Sequence, residues 1–315
     1  MNLELERKSI WQQIDEAELK EITEYGERYK NFLDHCKTER ECVTFIQNKA
    51  IEHGYVSLEE AIKSPVKAGD KIYINYKNKA IALFLIGKDC MTKGMNIVGS
   101  HIDVPRLDIK PTPLYEDSEL ALMKTHYYGG VKKYQWPTIQ LAMHGYVKTK
   151  DGKEINIVIG EDDNDPVFYI TDLLPHLGKD QAKGTLGDGI PAETLNVVVG
   201  HSSYGISEKE NPIKKNILKL IHDKYGIVEE DFISSEIEMV PQAKARDIGF
   251  DRAMIAAHGH DDRVCSYANL EAILKLDEVT TTAVSLFVDK EEIGSYGNAS
   301  MSSAFFENAV AEILA

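Results

Sequence analysis

The stretch VSLFVDKEEIGS, residues 284–295, ends a mostly apolar run in two adjacent carboxylates, Glu291 and Glu292. Such a run is typical of a buried strand that stops at a polar turn. Two neighbouring acidic side chains repel each other, and the pKa of one rises unless a cation lies nearby. A divalent cation provides this compensation, so that one glutamate can bind it while the other removes a proton from water. A solvated acidic turn is the alternative interpretation.

The overall composition disfavours several classes of protein. The chain has 315 residues, with 51 acidic and 36 basic side chains and a net charge of −15, which disfavours binding to nucleic acids and to anionic lipid surfaces. The N-terminus lacks the apolar segment of a signal peptide, and no stretch approaches the roughly 18 apolar residues of a membrane helix. Four scattered cysteines without a CxxC pair favour a reducing compartment over a disulfide framework. We therefore expect a cytoplasmic protein that binds neither nucleic acid nor membranes.

The order of predicted elements is that of an α/β fold with an insertion. Amphipathic helices extend to about His53, and the strands KIYINYKN, AIALFLIG and GMNIVGS follow, the last ending at His101. A segment of short alternating strands and turn signals comes next, before a helix in VCSYANLEAILKL and the strand that precedes Glu291. We expect an α/β core formed by residues 1–110 and 240–315, and an inserted β-rich domain formed by residues 111–239.

Polar clusters lie at the ends of three core elements: GSHIDVP, GHDDRV and DKEEIGS. In open α/β sheets ligands bind beyond the carboxyl ends of the strands, so His101, one of Asp261 and Asp262, and the glutamate pair can converge. One imidazole and several carboxylates are a ligand set for zinc, manganese or cobalt. A helix N-cap accounts for one of the two aspartates, and the other needs a further explanation, for which a carboxylate that bridges two ions is a candidate.

His101 and Asp103 form a His-x-Asp pair with a specific physical use. The histidine binds metal through one ring nitrogen, and a nearby carboxylate accepts the other N–H and fixes the tautomer. We therefore expect Asp103 to orient His101. His258 and His260 are interpreted as packing or supporting residues rather than ligands.

Four motifs resemble, in order, those of the aspartyl aminopeptidase and vacuolar aminopeptidase I family of dinuclear metallopeptidases: GSHIDVPRLDIKP, YYGGVKKYQW, HGHDDRVCSYANLEAIL and VDKEEIGSYGNASMSS. The resemblance covers nearly the whole chain. It implies a three-layer αβα metallopeptidase-like core, with the inserted, mainly β domain serving dimerisation or as a lid. It also implies a metallo-aminopeptidase that removes N-terminal residues from peptides by attack of a metal-bound water. The expected cofactors are two divalent ions, zinc with manganese or cobalt as alternatives, and the expected assembly is a homo-oligomer, typically a dodecamer.

The resemblance further implies roles for individual residues. Asp261 is preferred to Asp262 because it matches the family position when the following helix is aligned. His176, in LLPHLGK, lies near the position of a family histidine that reaches a neighbouring active site, which implies a role in substrate binding. The implied roles are metal binding by His101, Asp261 and Glu292, orientation of His101 by Asp103, and general-base catalysis by Glu291.

One departure from the family pattern concerns the end of the sequence. The family supplies a further carboxylate and a final histidine after the position of Ala315, so by that pattern each ion lacks one protein ligand here. We interpret the chain as most of such a peptidase, incomplete at its C-terminus. The alternatives are a catalytically inactive binding or assembly subunit and another two-metal hydrolase, such as a phosphoesterase. The preferred N-terminal residue of the substrate does not follow from the sequence.

Overall fold

The computed structural model describes residues 5–315, so the first four residues of the predicted core segment 1–110 lie outside the described part. The α-helices are α1 (Glu16–His35), α2 (Glu39–Glu52), α3 (Leu58–Ala61), α4 (Pro212–Tyr225), α5 (His260–Leu274) and α6 (Phe305–Leu314). The strands are β1 (Val56–Ser57), β2 (Lys71–Tyr76), β3 (Ala80–Leu85), β4 (Asn96–His101), β5 (Arg106–Asp117), β6 (Leu120–Tyr128), β7 (Leu141–Lys148), β8 (Glu154–Ile159), β9 (Val197–Gly200), β10 (Ser235–Pro241), β11 (Arg246–Ile248), β12 (Met254–Ala256) and β13 (Ala283–Val288). The predicted mixed α/β fold is confirmed.

A five-stranded sheet in the order β1-β2-β3-β13-β4 is covered by helices on both faces. All six residues of β3 are buried, as expected for a strand with both faces covered. Ile81 and Leu83 pack against residues of α1, α2 and α5, whereas Ala82 and Phe84 pack against residues of α3 and α6. The alternation of β3 side chains therefore holds together a three-layer arrangement.

Strand β4 forms one edge of this sheet, and within residues 5–315 it pairs with β13 alone. Its first four residues are exposed, including Val98 at 56%. Three hydrogen bonds fasten β4 to α5. Asn269 Nδ2 donates to the main-chain oxygen of Val98 at 3.2 Å and to Ser100 Oγ at 3.3 Å, and Ser266 Oγ donates to the main-chain oxygen of His101 at 2.8 Å. The position of His101 is therefore fixed by a strand on one side and a helix on the other.

A second, antiparallel sheet has the order β8-β7-β10-β5-β6-β9. Its core contains Leu107, Met123, Leu141 and Met239, and α4 packs against it through Ile213. The division of the chain into a core and an inserted domain at residues 111 and 239 stays a prediction. None of the helices in residues 5–315 combines the length and apolar character needed to cross a membrane.

Buried charges connect the two sheets. Arg106 of β5 lies 3.3 Å from Glu39 of α2 and 3.2 Å from Glu238 of β10, and Lys79 also pairs with Glu39. Burial works to raise the pKa of Glu39, but the charges of Arg106 and Lys79 outweigh it and hold the pKa well below its ordinary value. Removing one partner of such a group leaves a buried charge unpaired and costs about 3–5 kcal/mol.

His144 of β7 forms a second tie between the sheets. Its Nδ1 lies 2.7 Å from Glu41 Oε1 and its Nε2 lies 3.1 Å from Glu161 Oε1. Glu41 also completes the capping box of α2 with Thr38. Burial works to lower the pKa of His144, but the hydrogen bonds to Glu161 and Glu41 outweigh it and raise the pKa to about 9. The contact between His144 and Glu41 thus connects the start of α2, which packs on the first sheet, to β7 of the second sheet.

We expect the stability of the protein to fall at alkaline pH because of His144. Its pKa is raised from 6.5 to about 9 in the folded state, so its contribution is complete below about pH 6.5 and is lost as the pH rises through about 9. The contribution is at most about 3 kcal/mol. Urea unfolding measures the free energy of unfolding at about pH 6 and about pH 10. We expect the difference between the two values to be smaller for His144→Gln than for the wild type and for the control His53→Gln, which changes an exposed position. Equal pH dependence in all three proteins contradicts this account.

Candidate metal centre

The parallel pairing of β4 with β13 brings together the two polar loops that follow these strands, at the carboxyl ends of both. His101 and Val288 are partners in the register, and Ile102 N–H donates to the main-chain oxygen of Val288 at 2.9 Å. Donor atoms of His101, Glu291 and Glu292 all lie within 4.8 Å of one another. Residues separated by about 190 positions in the sequence thus form one cluster.

His101 is buried and contacts three acidic residues. Its Nε2 lies 3.1 Å from Asp261 Oδ1 and 3.5 Å from Glu291 Oε2. Its Nδ1 lies 3.0 Å from the main-chain oxygen of Asp103 and 3.4 Å from the Asp103 carboxylate. The nearer acceptor of Nδ1 is therefore the main-chain oxygen of Asp103, and the carboxylate expected from the His-x-Asp pair is the more distant one. Burial works to lower the pKa of His101, but the hydrogen bonds and charge of Asp103 outweigh it and raise the pKa to about 9.

Asp103 is fully buried and connects the two polar loops. Its Oδ1 accepts the backbone N–H of Glu291 at 3.2 Å, and its Oδ2 accepts that of Glu292 at 3.1 Å. Burial works to raise the pKa of Asp103, but hydrogen bonds from His101, Tyr128 and the Glu292 amide outweigh it and lower the pKa. The carboxylate therefore stays ionised and holds the backbone of the glutamate pair.

The glutamate pair lies in a short turn of 3-10 helix, Glu291–Ile293, with a left-handed residue on each side. Lys290 has a φ of 74° and Gly294 a φ of 91°, and a residue other than glycine adopts this conformation at an energetic cost. Residues held in such conformations cluster at functional sites. The Glu291 side chain is 56% exposed, so it faces solvent beside the buried imidazole.

Helix α5 presents two aspartates before its regular part. Asp261 and Asp262 have non-helical backbone angles. The Asp261 side chain is 88% exposed and contacts His101, whereas a hydrogen bond with Asp262 raises the pKa of the Cys265 thiol. Arg263 is buried and donates to the main-chain oxygen of Lys37 at 2.9 Å, which fixes the start of the helix.

Tyr128 and Gly129, which lie in the motif YYGGVKKYQW, also contact the cluster. The Tyr128 hydroxyl donates to Asp103 Oδ2 at 2.7 Å. Gly129 has a φ of 74°, and a Cβ atom built there would lie 2.9 Å from Glu292 Oε2. Two consecutive glycines after a predicted strand are a turn signal, but the contact with Glu292 depends on how the second sheet packs and is not visible in the sequence.

The other histidines lie apart from the cluster. His176 is exposed on a long loop, and within residues 5–315 it forms no hydrogen bond or ion pair with the cluster. His260 packs as interpreted, with Nδ1 2.9 Å from the Tyr29 hydroxyl and Nε2 3.1 Å from the main-chain oxygen of Ile255. Burial and the charge of Arg263 lower the pKa of His258 to about 3, so this imidazole is neutral.

The donor set and its electrostatics fit a divalent cation. Burial and the charges of Asp103 and Asp261 raise the pKa of Glu292, against the opposing charge of His101. This unfavourable concentration of negative charge is relieved by a cation, and carboxylates with imidazole are donors that suit zinc. His101, Glu291 and Glu292 have donor atoms close enough together to hold it, and Asp261 contacts this set through His101 Nε2 at 3.1 Å.

Comparison with known proteins identifies the family. Residues 32–315 match the family model described as aminopeptidase I zinc metalloprotease (M18). The chain belongs to this M18 family. A probable M18 family aminopeptidase 1 of Clostridium acetobutylicum is 47% identical over 311 residues, which cover 98% of this chain and 67% of the relative.

Solved structures of M18 proteins agree with this assignment. An M18 aminopeptidase from Thermotoga maritima superposes with a TM-score of 0.93 at 41% identity, covering 99% of this chain and 67% of that chain. The S. cerevisiae mApe1 dodecamer, at 20% identity and a TM-score of 0.70, shares the fold and is covered over 65% of its chain. The M18 chain thus spans about two thirds of the length of these relatives. It is an aminopeptidase of the zinc metalloprotease class, and these matches give no support to an inactive subunit or a phosphoesterase.

We expect Gly129→Ala to weaken zinc binding by about tenfold or more, as changes beside a metal ligand do. The added Cβ would lie 3.1 Å from the Cβ of Glu292 and 2.9 Å from its Oε2, in a backbone conformation that disfavours alanine. Gly130→Ala is the matched control, because a Cβ there meets nothing within 4 Å. Competition with a chromogenic chelator measures both affinities, and equal affinities contradict the prediction.

Proposed function

We propose that the protein hydrolyses the N-terminal peptide bond of peptides with two divalent ions at this centre. His101, Asp261 and Glu292 would hold the ions. The observation that carries the proposal is the convergence of His101, Glu291 and Glu292 within 4.8 Å at the ends of two parallel strands. Zinc is the proposed metal, and manganese and cobalt suit the same oxygen-rich donors.

The chemistry divides between the ions and Glu291. Bound ions supply Lewis acidity, which polarises the scissile carbonyl and makes water a better nucleophile. The Glu291 carboxylate accepts a proton from the attacking water and delivers it to the amine nitrogen as the C–N bond breaks. Its exposure and its 3.5 Å separation from His101 Nε2 support this role, because a general base must reach both the water and the ligand set.

Asp103 positions these groups and does not itself transfer a proton in this mechanism. Its main-chain oxygen accepts from His101 Nδ1–H, so Nε2 is the ring nitrogen that would bind a metal ion. Its carboxylate holds the amides of Glu291 and Glu292, so the base and a ligand move together with the imidazole.

We expect Glu291→Gln to lower kcat by about 10²–10⁴ while leaving the metal content unchanged, because a general base is lost and no ligand is removed. Glu292→Gln is the matched control, and we expect it to lower the metal content. Elemental analysis and peptide hydrolysis by the same preparations measure both. Loss of metal from Glu291→Gln in parallel with activity would reverse the two roles.

A homo-oligomer is part of the proposal, by analogy with the mApe1 dodecamer. His176 lies among four exposed leucines of one loop, which support contact between copies through this loop: Leu173, Leu174, Leu177 and Leu186. In such an assembly His176 binds substrate in the neighbouring subunit's site. The four unpaired cysteines support a reducing, cytoplasmic location.

The role of His176 is tested by co-expressing differently tagged His176→Ala and Glu291→Gln chains. We expect each variant alone to be nearly inactive. The mixed oligomer combines an intact base with the partner's histidine at some sites, and recovers about a quarter of wild-type activity for randomly assorted dimers. Verified mixed oligomers without recovered activity contradict a role across subunits.

A further inference from the structure

Tyr128 is the last residue of β6 and reaches the metal centre from the second sheet. It is buried, and in the β5–β6 register its partner is Arg106. The Arg106 guanidinium lies 3.8 Å from the centre of the Tyr128 ring, and the Lys290 ammonium lies 5.1 Å from it. Arg106 is itself fixed by a 2.8 Å hydrogen bond to Asp108 and by its ion pairs with Glu39 and Glu238. These contacts leave the aromatic ring little freedom to rotate.

The Tyr128 hydroxyl supplies the shortest of the contacts that surround the Asp103 carboxylate. It donates to Oδ2 at 2.7 Å, compared with 3.1 Å and 3.2 Å for the Glu292 and Glu291 amides and 3.4 Å for His101 Nδ1. A fully buried carboxylate needs such donors to remain ionised. Without the phenol, Oδ2 would keep the Glu292 amide as its hydrogen-bond donor.

We propose that Tyr128 is a positioning residue of the metal centre, acting through Asp103 on His101 and the Glu291–Glu292 turn. The inference rests on the proposed function of these residues as ligand and base. Loss of the hydroxyl removes the shortest hydrogen bond of the Asp103 carboxylate and leaves it to the two amides and His101. Asp103 contacts both polar loops, so the imidazole and the two glutamates are then held less precisely relative to each other. The second sheet thereby sets the geometry of a centre whose ligands lie on the first.

The test is Tyr128→Phe, which removes the hydroxyl and keeps the ring on Arg106. Tyr127→Phe is the matched control, because Tyr127 is half-exposed and stacks on His126. We expect Tyr128→Phe to weaken zinc binding by about 10–100-fold, to alter the visible absorption of the Co²⁺-loaded protein, and to lower kcat with KM unchanged. We expect Tyr127→Phe to match the wild type in all three measurements.

Zinc binding and hydrolysis by the wild type are measured first, because their absence would overturn the proposed function rather than the role of Tyr128. Given an active wild type, two results together overturn the inference. Tyr128→Phe would keep its zinc affinity and kcat within twofold of the wild type, and its Co²⁺ spectrum would be unchanged. A loss confined to the unfolding temperature of the metal-free protein also overturns it, since a purely structural residue behaves in that way.

A double-mutant cycle with Asp103→Ala provides a second test, in which no charge is left buried without its donor. If Tyr128 acts through Asp103, adding Tyr128→Phe to Asp103→Ala changes zinc affinity by less than about twofold, because the acceptor of the hydroxyl is already absent. The same fold-change in both backgrounds overturns the inference. This cycle remains informative when the single Tyr128→Phe variant folds poorly.

Discussion

The metal centre depends on the parallel pairing of β4 with β13. Parallel strands end at the same edge of a sheet, so this pairing sends the loop after His101 and the loop before Glu291 to one place. A register shift of one residue would turn every β13 side chain to the opposite face, and the buried core forbids it because helices cover both faces. Hydrophobic packing on the two faces of the first sheet thus fixes the register of β13, and this register places the polar residues of the metal centre.

A series of contacts between buried side chains extends from α2 and the second sheet to the Asp103 carboxylate and orients it. Glu39 and Glu238 fix Arg106, Arg106 stacks on Tyr128, and Tyr128 donates to Asp103. Ion pairs of this kind contribute little net stability compared with apolar packing. Their role here is to fix an orientation. They hold Arg106 against the Tyr128 ring, and so direct the Tyr128 hydroxyl, which apolar contacts alone would leave free to turn.

The sequence predicted those parts of the structure that local patterns determine. The strand ending at His101 and the strand before Glu291 follow from apolar runs, and their convergence follows from the α/β topology. The preference for Asp261 over Asp262 came from the family resemblance, since spacing treats both alike. Tyr128 was not predicted because its contact with Asp103 depends on the packing of two sheets. The main-chain acceptor of His101 Nδ1 was not predicted because its position depends on the path of the backbone after β4, which the His-x-Asp spacing does not determine.

The open edge of β4 has a consequence for where further ligands can enter. Beyond this strand the backbone N–H and C=O groups on one side find no strand partner within residues 5–315, and such an edge accepts an additional strand. A strand aligned parallel to β4 would finish beside His101, and its terminal loop would join those that already surround the imidazole. The exposed edge of β4 therefore offers backbone groups for pairing directly beside the centre.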